Sequence, residues 1–130
     1  MATQVFISCE TELSALLYQR GASARANYDA SITGRTTAGD YGIGWQMERL
    51  EAHGLKGAFF VDPMPAPVHG QQIVADIVGP ILSRGHEVQL HIHTEWLDFA
   101  TTNPFAPPAQ NVSRPRPGLL RSSNKTAGEP

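Results

Sequence analysis

The stretch Gly85-His86-Glu87-Val88-Gln89-Leu90-His91-Ile92-His93-Thr94-Glu95-Trp96 decides how the chain is read. Apolar and polar residues alternate along it. Val88, Leu90 and Ile92 share one side of an extended segment, and Gln89, His91 and His93 share the other. A strand that hides its aliphatic side turns both imidazoles the opposite way, with Glu95 just past its end. Two histidines and a carboxylate between positions 91 and 95 make a metal-ligand pattern, because zinc takes neutral imidazole nitrogen and carboxylate oxygen. The plain alternative is a pair of exposed polar side chains on the outer face of a strand.

Upstream of Gly85, residues Ile73, Val74, Ile77, Val78, Ile81 and Leu82 recur at helical spacing, which predicts a helix over Gln71 to Arg84. Pro80 lacks a backbone donor, so a kink or early break is expected near Gly79. Pro63-Met64-Pro65-Ala66-Pro67 reads as a loop, and Gly57-Ala58-Phe59-Phe60-Val61 as a short buried strand. Asp40 can cap a helix from Tyr41 to His53, with Ile43, Met47 and Leu50 as its apolar stripe and Gly54 as its stop. Gly21 to Asp40 has no clear period and reads as a long connection, of the kind that is often functional. Val5 to Glu10 alternates and predicts a first strand, which ends in Glu10-Thr11-Glu12. A short helix over Leu13 to Gln19 follows.

The order is then β-loop-α-β-α-β, and helices of these lengths suit right-handed crossovers between parallel strands. Parallel α/β sheets place their sites at the carboxyl ends of strands. Glu10 and Glu12 lie at one such end, and His91 and His93 at another. Fold and chemistry point to the same rim.

Composition bounds the rest. A chain of 130 residues with a net charge of −2 gives no electrostatic case for nucleic acid or an anionic membrane surface. No apolar run approaches the ~20 residues of a membrane helix. The amino terminus shows no signal peptide, and a single cysteine, Cys9, excludes an internal disulfide and fits a reducing, cytoplasmic compartment. As a nucleophile Cys9 lacks an evident base. Up to Asn103 there are six Lys/Arg against eleven Asp/Glu, a balance of −5; the remainder has four basic residues, one acid and six of the ten prolines. The chain therefore divides into a folded part, residues 1–100, and a Pro/Arg/Ser-rich tail, residues 101–130, expected to be disordered.

Three features resemble the polysaccharide deacetylase family, carbohydrate esterase family 4, over residues 4–99. A first strand ends in paired acids, Glu10 and Glu12. Gly54-Leu55-Lys56-Gly57-Ala58-Phe59-Phe60-Val61 is similar to the family's G-x-x-A-T-F-F-V strand. Gly85-His86-Glu87-Val88 with His91 is similar to its G-H-E-hydrophobic-x-x-His motif. The resemblance implies a (β/α) barrel, of which this chain would carry the amino-terminal half, and a divalent metal, zinc, used to remove acetyl groups from sugars or polysaccharides. It implies Glu10 as catalytic base and Glu12 and His91 as metal ligands. The family's second histidine would fall on Glu95, so the third ligand is either His93 or Glu95. The family's acids are an adjacent Asp-Asp pair, whereas here they are longer and one residue further apart.

The family's later arginine, acids and distal histidine have no counterpart after Trp96, as in a truncated or frame-shifted deacetylase. His69, in the proline loop, and Trp96 are candidates for touching a sugar; Trp96 serves equally well as a rim aromatic closing the core. His86, after a helix-ending glycine, reads as structural. Two other readings stand beside the enzyme. One is an inactive remnant that binds metal or sugar, and the other is a domain that associates with its own copies through uncovered sheet edges.

Overall fold

The computed structural model describes residues 3–100; the tail read as disordered lies outside the described residues. Three parallel strands, β1 (Ser8–Thr11), β4 (Ala58–Val61) and β5 (Glu87–Leu90), form a sheet in the order β1-β4-β5. Between β1 and β4 run α1 (Ala15–Gln19), α2 (Ala24–Ser31), a small hairpin of β2 (Arg35–Thr36) and β3 (Gly39–Asp40), and α3 (Ile43–Ala52). Between β4 and β5 run α4 (Ala66–His69) and α5 (Gln72–Ser83), and a 3-10 turn over Thr94–Asp98 follows β5. The sheet is open among the described residues, with β1 and β5 at its edges.

The register explains which residues are hidden. Cys9, Phe59 and Val88 lie side by side across the sheet, as do Thr11, Val61 and Leu90. These rows share one face. Phe59 and Val61 there meet Ile77 and Ile81 of α5 and Ile43 and Met47 of α3, all buried. The opposite face carries Ser8, Glu10, Phe60, Glu87 and Gln89. The expected burial of the aliphatic side of residues 88–92 is only partly met. Val88 packs on the core, but Leu90 is 67 % and Ile92 52 % exposed; β5 is an edge strand, and Ile92 lies beyond its end.

Both helices that feed the inner and edge strands stop in the same way. Gly54 N–H donates to Glu51 O and Leu55 N–H to Leu50 O, each at 2.9 Å; Gly85 and His86 repeat the pattern on Leu82 O and Ile81 O. Each glycine has positive φ, 68° and 72°, which is the left-handed turn a helix stop of this kind requires. His86 is then drawn inside. Its side chain has no exposure. Nδ1 accepts the buried Gly57 N–H at 3.1 Å and Nε2 meets Glu51 Oε1 at 3.0 Å. Arg84 grips the same carboxylate at 2.8 and 2.7 Å. The Arg84 and His86 bonds hold Glu51 down at about 2.

Several expectations are corrected. Residues 21–40 are not an irregular connection but contain α2 and the hairpin. Its helix escaped the periodicity because the buried position is polar, Asn27. Asp40 does not cap α3. It closes the hairpin and faces Arg35 at 3.5 Å, while Gly42 stands at the cap without a side-chain bond. A Cβ on Gly42 would overlap the Ile32 carbonyl oxygen, so the hairpin can cross there only over a glycine. The proline loop contains α4, with Pro67 in the first turn, where a missing N–H does no harm. Pro80 does not break α5, which continues to Ser83. The carbonyl Pro80 leaves unbonded is that of Asp76, and the Tyr28 hydroxyl donates to it at 3.1 Å.

Candidate metal centre

Every strand of the sheet contributes to one rim. Beyond β1, Glu12 follows the buried Thr11. Beyond β5, His91 continues the ladder by donating its N–H to Val61 O at 3.0 Å, and the chain carries on to His93. Glu12 Oε2 lies 3.3 Å from His91 Nε2 and 2.6 Å from His93 Nε2. The two imidazoles stand edge to face, with centroids 4.6 Å apart. One donor atom from each of the three residues falls within 4.8 Å of the others. These are the nitrogen and oxygen donors zinc accepts. Among the described residues Glu12 Oε2 and His91 Nε2 are buried and meet no partner in hydrogen-bond geometry, although Glu12 Oε2 pairs with both imidazoles. The 2.6 Å contact of Glu12 Oε2 with His93 Nε2 is that of an ion pair, and Glu12, His91 and His93 together form a group that could hold a cation.

Glu95 does not join this set. Its Oε2 lies 3.3 Å from His93 Nδ1, the nitrogen turned away from Glu12. A carboxylate on the far ring nitrogen favours the tautomer with Nδ1 protonated, the form whose Nε2 lone pair a cation would take. Of the two alternatives for the third position, His93 faces the centre and Glu95 backs it. Burial pushes the His93 imidazole down, but the carboxylates of Glu12, Glu95 and Asp62 outweigh it and leave the pKa raised.

Glu10 lies on the open face of β1, beside Phe60 in the register, and is exposed. It is not among the three clustered residues. Trp96 is 1 % exposed and closes the core against Tyr18, His69 and Phe99 at 5.7, 5.6 and 6.1 Å. A ring so enclosed has no face free for a sugar. His69 belongs to the same aromatic cluster, 5.1 Å from Tyr18. Among the described residues its Nε2 is buried without a hydrogen-bond partner, and burial lowers its pKa.

Two supporting residues have no signature in the sequence pattern. Asn27, 0 % exposed, clasps the Ser14 peptide from both sides. Its Oδ1 accepts Ser14 N–H at 2.9 Å, and its Nδ2 donates to Ser14 O at 2.8 Å. That clasp anchors the segment carrying Glu12. Asp62, 1 % exposed, directly follows β4. Its Oδ1 accepts the Met64 N–H at 2.9 Å and the His93 N–H at 3.4 Å. Burial raises its pKa against these two bonds.

Among the described residues no helix is long and apolar enough to cross a membrane. Comparison with family models, curated proteins and solved structures returned no match.

Proposed function

We propose that the chain is a polysaccharide deacetylase-like hydrolase that removes acetyl groups from amino sugars or polysaccharides with a divalent cation, zinc, held by Glu12, His91 and His93. The observation that carries this reading is the convergence of one carboxylate oxygen and two imidazole nitrogens within 4.8 Å, at the carboxyl ends of parallel strands, where such sheets place their chemistry. The three strands with their helical crossovers stand as the amino-terminal part of a (β/α) barrel. The bound cation supplies a Lewis acid for the acetyl carbonyl and lowers the pKa of water. Glu12 gives the anionic donor, His91 and His93 the neutral ones, and Glu95 holds the His93 ring in place. Glu10, two residues before Glu12 at the same strand end, is the base that takes the proton of the attacking water.

The test is acetate release from an acetylated chitooligosaccharide with added zinc or cobalt, alongside zinc calorimetry. Glu10→Gln should abolish release and leave zinc affinity unchanged, whereas His91→Ala should lose both. Equal zinc affinity in wild type and His91→Ala would sink the reading. Turnover is expected to be weak, because general acid catalysis at the leaving amine, typically worth about 10²–10⁴-fold, has no assigned donor; His69, half-buried, packs against Tyr18 and Trp96.

A second reading is favoured by the apolar side chains at both sheet edges. Phe6 before β1 is 82 % exposed and Leu90 at the end of β5 is 67 % exposed. They suit a domain that associates with its own copies. Light scattering that finds only monomer at high concentration would remove that reading.

A further inference from the structure

We infer that Asp62 is an outer carboxylate of the cation centre: its Oδ2 accepts a hydrogen bond from a water that completes the shell of an ion held by Glu12, His91 and His93. The inference rests on the metal reading given above.

Asp62 stands between the two arms of the centre. Its N–H donates to Thr11 O at 3.2 Å, next to Glu12, and the preceding residue's carbonyl, Val61 O, receives the His91 N–H at 3.0 Å. The side chain is oriented by Oδ1, which takes the N–H groups of Met64 and His93 at 2.9 and 3.4 Å. Among the described residues Oδ2 is buried and has no hydrogen-bond partner. Leaving a buried polar oxygen unmet is unfavourable, and each such group calls for an explanation. Asparagine would serve both backbone donors through its own oxygen, so they do not explain a carboxylate. The second oxygen calls for a donor that arrives with the ligand.

That donor is not the ion itself. Asp62 is outside the set of atoms lying within 4.8 Å of one another. Three protein donors leave one position open on a four-coordinate ion. A water at that position is the donor proposed for Oδ2. Groups that hydrogen-bond to a metal's ligands typically set its affinity by about 10–100-fold.

The experiment is zinc calorimetry on the full chain as wild type, Asp62→Asn and Asp62→Ser, with His91→Ala as the reference for a lost ligand. Asparagine retains Oδ1 for Met64 and His93 but presents a donor where Oδ2 accepted. A role confined to orienting the residue 91–93 segment therefore survives in it. The expected result is a loss of zinc affinity of about 10–100-fold in Asp62→Asn, with unaltered circular dichroism. The visible absorption of the cobalt-loaded protein should also shift. Asp62→Ser, whose hydroxyl can still accept the Met64 N–H, should show the same loss if the amide variant folds badly. Wild-type zinc affinity in either folded variant overturns the inference and leaves the metal reading standing. A wild-type chain that binds no zinc overturns both, so the two failures are distinguished by the wild-type arm.

Discussion

Replacing His86 by alanine tests whether the histidine of the Gly-His-Glu motif is a strut rather than a ligand. Its ring, fully enclosed, accepts the Gly57 N–H at 3.1 Å and stands edge-on to Phe59 with centroids 5.5 Å apart. Alanine would leave a buried N–H without an acceptor, which costs about 1–3 kcal/mol. It would also forfeit the aromatic contact, worth about 0.5–1.5 kcal/mol beyond buried area. The sum is about 2–4 kcal/mol, before any term for the cavity. Small domains have only about 5–15 kcal/mol in total, so the urea midpoint should fall far. Glu51 also loses a partner, but Arg84 still holds it, so that bond adds little to the sum. The assay is urea unfolding followed by circular dichroism, with zinc calorimetry under conditions where the variant is folded. A loss under about 1 kcal/mol, below even a single orphaned buried N–H, would refute the strut. So would a folded variant that has lost its zinc.

Glu51→Gln should be less stable than wild type near neutral pH, with the gap closing as pH falls. Glu51 is depressed from 4.5 to about 2 by its Arg84 and His86 bonds. Its contribution is therefore complete above about 4.5 and lost as pH falls through about 2; a gap that stays constant between these values would contradict the assignment. Asn27→Ala should destabilise by about 2–4 kcal/mol, because both the Ser14 N–H and its carbonyl lose their partner. The same variant should weaken zinc binding by loosening the segment that carries Glu12, and unfolding curves matching wild type would show that the clasp is dispensable.

What was legible in the sequence followed from strong local signals. β4 and β5 each lie just after a glycine that must turn left-handed, and α3 and α5 carry apolar residues at helical spacing. Their positions are nearly those observed, Ile43–Ala52 and Gln72–Ser83. The His91 and His93 pairing was legible because a two-residue alternation puts them on one side even beyond the end of β5. What was not legible depended on distant partners. α2 has no apolar stripe because its inward residue is Asn27, whose partner is the peptide at Ser14. Pro80 reads as a break because its missing bond is local, whereas the group that satisfies the freed carbonyl, Tyr28, is 48 residues away. Trp96 follows the histidines in sequence and looks like part of their rim, yet the 3-10 turn rolls it into the core.

The same distinction separates the proposed ligands from their supports. Glu12, His91 and His93 are partly exposed side chains, and each sits at the end of a strand. A motif search finds residues of this kind. The groups that position them are buried: Asn27 beneath the Glu12 segment and Asp62 beneath His93, at 0 % and 1 % exposure. Each is a polar residue in the interior with bonds to backbone rather than to another side chain of the centre. Such bonds do not depend on which residue carries the N–H or carbonyl, so they leave no pairwise pattern to read. Asp62 differs from Asn27 in one respect. Both polar atoms of the Asn27 amide are bonded, whereas one oxygen of the Asp62 carboxylate has no partner among the described residues. A support that only positioned the chain would need no second oxygen, and on this ground Asp62, rather than Asn27, is proposed to act with the chemistry of the rim.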